Sequence, residues 1–338
     1  MPYGRPMPPR RSGGGGGLAA AFTVVGVFII VGLLVAAGFA ASSSDSSTSA
    51  YTPTSTPSYT YSSSPSPTTT YSASPTTTQS GSTTTRRSST TTSSTSAGPK
   101  PVAALATNPL FNHADTGLNN INCGYPAWAP NVAAARAFFE AQSACLGQMW
   151  SALLEYENLP FSPPGLSVTA TAAEATSPCT SSGSNFAAFY CGANKTIYMP
   201  LDSFMQNEDP YDTVIFMAVF AHEYGHHVEN LTGILKQSHQ EEYDAGPTTA
   251  LGLEHSRRLE LAAQCFGGMF IGSSTFVGTI STDDALETVR DNYNRGDFSG
   301  DMRDHGSPEN YGGWYEHGYR NNRVQMCNTW AASSDSVS

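Results

Sequence analysis

Apolar positions along this chain follow three regimes. From residue 18 to 41 they are continuous, and LAAAFTVVGVFIIVGLLVAAGFAA carries no charge. Roughly two dozen residues at about 1.5 Å each make a helix that crosses a hydrocarbon core of about 30 Å. Residues 42–100 show no apolar periodicity; they are nearly all Ser, Thr, Pro and Tyr, as in STPSYTYSSSPSPTTTYSASPTTT. Beyond residue 100 periodicity returns. It predicts a helix over about 130–157, and a second helix beginning after Pro210 that is apolar on almost every side until Ala221. A third covers SRRLELAAQCFGGMF, and a fourth follows Thr282, where DDALETVRDNY opens with capping residues. NFAAFYC and KTIYMPL read as two β-strands joined by a turn.

Composition divides the chain at the same places. Residues 1–17 are rich in Pro and Gly and carry Arg5, Arg10 and Arg11 with no acidic residue. The positive-inside bias therefore predicts a cytoplasmic tail over 1–17, a single transmembrane helix over 18–41 and everything later outside the cell. The apolar run is longer than the h-region of a cleaved signal peptide, about 7–15 residues. The segment 42–100 buries too little apolar surface to offset chain entropy and is expected to be a disordered stalk. All six cysteines, all four tryptophans and all eight histidines fall in 101–338, which is expected to form one α+β domain: a small mixed sheet above the second helix, then a mainly helical part.

Charge excludes one class of partner. Of 16 basic and 27 acidic residues, six basic and one acidic precede residue 101, leaving ten against 26 in the domain. A nucleic-acid role needs the opposite sign. Cysteines on the outer side of a membrane read as disulfides, and no C-x-x-C pair suggests a cysteine-held metal. Cys179 and Cys191 bracket a short Gly/Ser loop, Cys123 precedes and Cys145 lies within the first helix, and Cys265 and Cys327 remain. Pairing in chain order is the expected scheme.

The second helix carries AHEYGHHVEN, residues 221–230. His222 and His226 are four apart and share a face, with Cβ atoms about 5–6 Å apart. Two such imidazoles reach one Zn²⁺ at about 2.0–2.1 Å. Glu223 stands one step round the helix, in the general-base position of an H-E-x-x-H pattern. His227, rotated by about 100° from His226, is expected to pack or support. Glu229 is expected to be solvated. A hydrolytic zinc site needs a third protein ligand. Glu260 is best placed, because a carboxylate inside LELAAQC would be costly to bury without a counter-charge. Glu254 and His255 compete for the role.

Taken together, HEYGHHV, RRLELAAQC, the later HGSPENYGGWYEHGY and the earlier FAAFYCGANKTIYMPL resemble the putative neutral zinc metallopeptidase family of bacteria. The resemblance covers most of 105–331 and none of the tail, anchor or stalk. It implies a gluzincin-like, zincin-like fold, one zinc per chain held by His222, His226 and Glu260, catalysis by Glu223 and a peptide or protein substrate. Membrane-anchored versions are common in actinobacteria. Two positions depart from the family's usual pattern. Gln264 stands where an Asp commonly supports a ligand histidine, and would be expected to take that imidazole N–H on its amide oxygen. Tyr311 stands where the late motif usually has Arg.

The expected activity is that of a surface-anchored zinc endopeptidase, with His305 in DHGSPEN stabilising the oxyanion. A strand edge would align the peptide, and Phe186, Phe189 and Tyr190 either line a subsite or fill the core. The departures at Gln264 and Tyr311 leave an alternative from another class, a catalytically weak zinc-containing binding protein of the cell envelope.

Overall fold

A computed structural model describes residues 98–180, 187–206 and 208–338. The expected cytoplasmic tail and transmembrane helix, and all but the end of the expected stalk, lie outside these residues. Among the described residues no helix is long and apolar enough to cross a membrane.

Helix α1 spans Val132–Tyr156, started by Asn131, whose side chain accepts from the Ala134 N–H. Strand β1 (Gly165–Thr169) follows, then β2 (Phe189–Cys191) and β3 (Thr196–Pro200). A one-turn helix α2 (Leu201–Phe204) leads to α3 (Thr213–Thr232), α4 (Ile234–Ala245) and the long α5 (Ala250–Phe276). Helices α6 (Thr282–Asn292) and α7 (Pro308–Asn321) complete the set. The result is α+β and dominated by helices.

The strands form one mixed sheet in the order β1-β3-β2, with β2 antiparallel and β1 parallel to β3. Strand β1 has no sequence signal of its own. Its five residues, GLSVT, are mostly half-exposed, and pairing with β3 rather than local alternation makes them a strand.

Helix α3 is buried nearly all round, as its unbroken apolar run requires. On one side Phe220 stacks on Phe139 of α1 with ring centroids 5.1 Å apart, and Gln142 donates to the Met217 carbonyl across 2.7 Å. On the other side lies α5. There a Cβ on Gly225 would meet the backbone of Ala263 at 2.9 Å, so this glycine in HEYGH permits the two axes to approach. The apolar pattern would let α3 run on, but Gly233 ends it in a left-handed turn (φ 94°) pressed against Val102. The bond pairs are Cys123–Cys145, Cys179–Cys191 and Cys265–Cys327, the chain-order scheme. The middle pair lies in a small cluster where Phe189 stacks on Tyr198 at 4.7 Å. Phe189 is therefore core, and Phe186 lies outside the described residues.

Candidate metal centre

Side chains from α3 and α5 meet at the close approach of the two helices. His222 Nε2 lies 3.2 Å from His226 Nε2, and Glu260 Oε2 lies 3.3 Å from the first and 3.4 Å from the second. All three residues are at least nine-tenths buried. Only the two ring nitrogens meet at hydrogen-bond geometry, and Glu260 Oε2 is buried without a hydrogen-bond partner. A tetrahedral zinc with bonds of about 2.0–2.1 Å has ligand atoms about 3.3–3.4 Å apart. The triangle has that size, and two imidazoles with a carboxylate are a zinc donor set. The residues fit the metal that the sequence implies.

The competitors for the third position are engaged elsewhere. Glu254 binds Arg258 at 2.7 Å and accepts from Ser334, while His255 packs against Trp330 with its Nδ1 3.8 Å from Glu241.

Two expectations are corrected by the tertiary structure. Glu229 is not solvated. It is fully buried, and its Oε2 lies 2.8 Å from His226 Nδ1, on the far side of the ring from the Nε2 of the triangle. A residue three on from a helical histidine is its neighbour, a signal the sequence carried. Gln264, in contrast, does not reach a ligand histidine in the expected way. It faces α6, where its Nε2 donates to Asn292 Oδ1 at 2.6 Å. The carboxylate beside a histidine of the triangle thus comes from α3 itself. Replacing Glu229 by Gln should weaken zinc binding by roughly 10–100-fold with the fold retained. Competition against a chelator reads this directly; unchanged affinity would leave Glu229 a packing residue.

Protonation within the cluster follows burial and charge. Burial raises the Glu223 carboxyl, which His222 and His226 partly offset and Glu260 reinforces; the Tyr190 backbone N–H donates to it. Its second oxygen is buried without a partner. Glu229 is pushed up to about 7 by burial against the pull of His226. Burial lowers His226, but Glu260 and Glu229 outweigh this and hold it well above the usual imidazole range. The same attraction sets Glu260 well below the carboxylate range despite burial.

His227 packs on the sheet side. Its Nε2 lies 2.7 Å from the Ser162 carbonyl and its Nδ1 3.0 Å from the Tyr190 hydroxyl, which also accepts from Asn230 at 2.8 Å. Tyr190 is thereby tied to α3 rather than lining a subsite by its ring.

A loop between α6 and α7 supplies His305. Its Nδ1 lies 2.8 Å from Asp304 Oδ1 and 3.5 Å from Asp297 Oδ1, and Asp297 Oδ2 accepts both the His305 and Gly306 backbone N–H groups. Burial lowers this imidazole, but the two aspartates and Glu260 raise it well above its usual range. Arg257 braces the loop from α5 by donating to the Arg303 carbonyl at 2.6 Å. Tyr311, in the first turn of α7, feels both Glu260 and Glu223, and burial with those charges raises its hydroxyl. Sequence reasoning did not find Asp297, Asp304 or the α4 residues His239 and Glu242. Burial and then His226 lower His239 to about 4. Burial, Asp304 and Glu260 raise Glu242 to about 8.

The Glu242 shift has a sign that can be measured. Its folded state holds the proton more tightly than the unfolded chain, so its stabilising contribution is complete in acid and is lost as pH rises through about 8. Denaturation of the native protein should therefore lose stability more steeply between about pH 5 and 8 than that of Glu242→Gln. Parallel curves would count against the buried, uncompensated carboxyl.

A sequence profile of the putative neutral zinc metallopeptidase family matches residues 126–330, and the chain belongs to that family. It is 30% identical over 158 residues to the uncharacterized protein YpfJ of Escherichia coli (strain K12), covering 43% of this chain and 54% of that protein. It is 28% identical over 182 residues to the uncharacterized protein Rv2575 of Mycobacterium tuberculosis (strain H37Rv), covering 46% of this chain and 59% of that protein. The chain thus spans little more than half the length of these relatives. No solved structure matches it.

Proposed function

We propose that the chain is a zinc-dependent endopeptidase of zincin-like fold, with His222, His226 and Glu260 as ligands and Glu223 as the general base. The observation that carries this reading is the triangle of 3.2, 3.3 and 3.4 Å with Glu223 beside it. Zinc, when bound, supplies Lewis acidity and makes water a nucleophile near neutral pH. The chain's own residues do the rest. Glu223, anchored through the Tyr190 N–H and with one oxygen free, takes the proton of the attacking water and returns it to the leaving amine. His305, fixed by Asp297 and Asp304, and Tyr311, kept protonated, are the donors for the developing oxyanion. Among the described residues the sheet order leaves one side of β2 unpaired, and the Tyr190 N–H reaches Glu223. An extended peptide laid along that edge would place its carbonyl near the base. The alternative of a catalytically weak zinc-containing binding protein loses one of its two supports, since Glu229 provides the carboxylate that Gln264 lacks.

The test is turnover of a peptide library by the full-length protein, abolished by a chelator and restored by zinc. A preparation without stoichiometric metal after gentle purification, or without turnover when zinc is present, would sink the proposal.

The topology belongs to the same proposal: a cytoplasmic tail over 1–17, a membrane anchor over 18–41 and a stalk over 42–100 that holds the peptidase domain outside the cell. A protease added to intact cells should release the domain by cutting within 42–100. Recovery of an intact domain only from the cytoplasm would refute this.

A further inference from the structure

Glu223, His227 and Asn230 stand at i, i+4 and i+7 of α3 and so share one face of that helix. Strand β2 runs along this face. The Tyr190 hydroxyl lies 3.0 Å from His227 Nδ1 and 2.8 Å from Asn230 Nδ2, while the Tyr190 N–H donates to Glu223. Just past the strand, a Cβ on Gly192 would stand 3.9 Å from Asn230 Oδ1. One residue of β2 thus grips α3 twice, with its backbone at the proposed base and its side chain a turn or more further on. The hydrogen bonds have a fixed direction. The Ser162 carbonyl, 2.7 Å from His227 Nε2, can only accept, so in the neutral ring Nε2 carries the proton and Nδ1 accepts. The Tyr190 hydroxyl therefore donates to Nδ1 and takes the Asn230 amide proton on its own lone pair. Rings hold the imidazole in place, since Tyr190 and Tyr224 meet it edge-on with centroids 5.4 and 5.5 Å away. His227 is fully buried and Tyr190 is 7% exposed, so water does not compete for these bonds.

We propose that His227 and Asn230, through the Tyr190 hydroxyl, are positioning residues that hold β2 at the height along α3 where the Tyr190 N–H meets Glu223. The proposal rests on the peptidase reading, in which Glu223 activates the water. Strand β2 has only three residues and, among the described residues, pairs with β3 alone. So short a ladder leaves the strand's height over α3 to be set by side chains. Neither His227 nor Asn230 touches the reacting atoms; both act through the placement of the base, which proton transfer requires to be close.

The experiment uses the full-length zinc-loaded protein and one peptide that it cleaves. Tyr190→Phe removes the hydroxyl and keeps the backbone N–H; Asn230→Leu removes only the donor to that hydroxyl. Each should lower kcat about tenfold, the order expected of a slightly misplaced catalytic group, with KM and zinc affinity changed by less than about twofold. In the Glu223→Gln background the same substitutions should lower residual turnover by less than about twofold, because no base remains for them to place. Equal factors in the two backgrounds, or an unchanged kcat in both single variants, would overturn the positioning role. Amide exchange reads the same contact without turnover. The residue-190 amide should exchange about tenfold faster in both single variants than in the native protein, the order of one lost hydrogen bond. Unchanged exchange would overturn the proposal as well. Faster exchange in both variants, with no peptide cleaved by the native protein, would keep the Tyr190 contact with Glu223 and reject the peptidase reading.

Discussion

Glu223→Gln should keep its zinc and lose turnover by about 10²–10⁴-fold, the usual worth of a positioned general base. The substitution is nearly isosteric and leaves His222, His226 and Glu260 in place. Its amide oxygen can still accept the Tyr190 N–H that the carboxylate accepts now. Only the ability to take and return a proton disappears, so kcat and kcat/KM should fall together while KM moves little. The buried amide also relieves the penalty that raises the native carboxyl, so the variant should be no less stable. Elemental analysis and steady-state kinetics on one preparation check both halves. Turnover within tenfold of the native protein would move the base to another group.

The second large effect is expected at Glu260. Glu260→Ala should lose zinc affinity by on the order of 10³-fold, about one ligand's share of the roughly 10–16 kcal/mol that holds a structural zinc. Two imidazoles would remain, with their Nε2 atoms 3.2 Å apart. The two competitors from the start of α5 are not poised to replace the carboxylate: Glu254 is held by Arg258 and Ser334, and His255 sits against Trp330. The variant should still fold, because the Cys265–Cys327 bond and the α5–α7 packing lie further along the helix. Chelator competition decides the matter. Zinc retained at native affinity by a folded Glu260→Ala protein would give the third-ligand role to another side chain.

Local pattern reached a long way into this protein. Periodicity and caps placed α1, α3, α5 and α6, and alternation placed the β2–β3 hairpin, because each depends on neighbours within a few residues. The pair of histidines was legible for the same reason: helical spacing converts four residues of sequence into a shared face. Glu260 was legible only as an anomaly, a carboxylate in an apolar run whose burial had to be explained. Strand β1 was not legible, since its pairing partner lies some thirty residues away in the register Gly165 with Thr196.

By itself the sequence determined four of the helices, the spacing of the two histidines, the excess of acid and the division of the chain into three compositional regions. Tertiary structure decided which polar groups share a dielectric. It set Glu229 behind His226, turned Gln264 toward Asn292, clamped His305 between Asp297 and Asp304, and buried Glu242 of another helix. Burial and charge proximity depend on which helix faces pack together, and the approach of α3 to α5 at Gly225 and Ala263 is a long-range contact. Spacing along one helix can state which side chains point the same way; only packing states what they meet there.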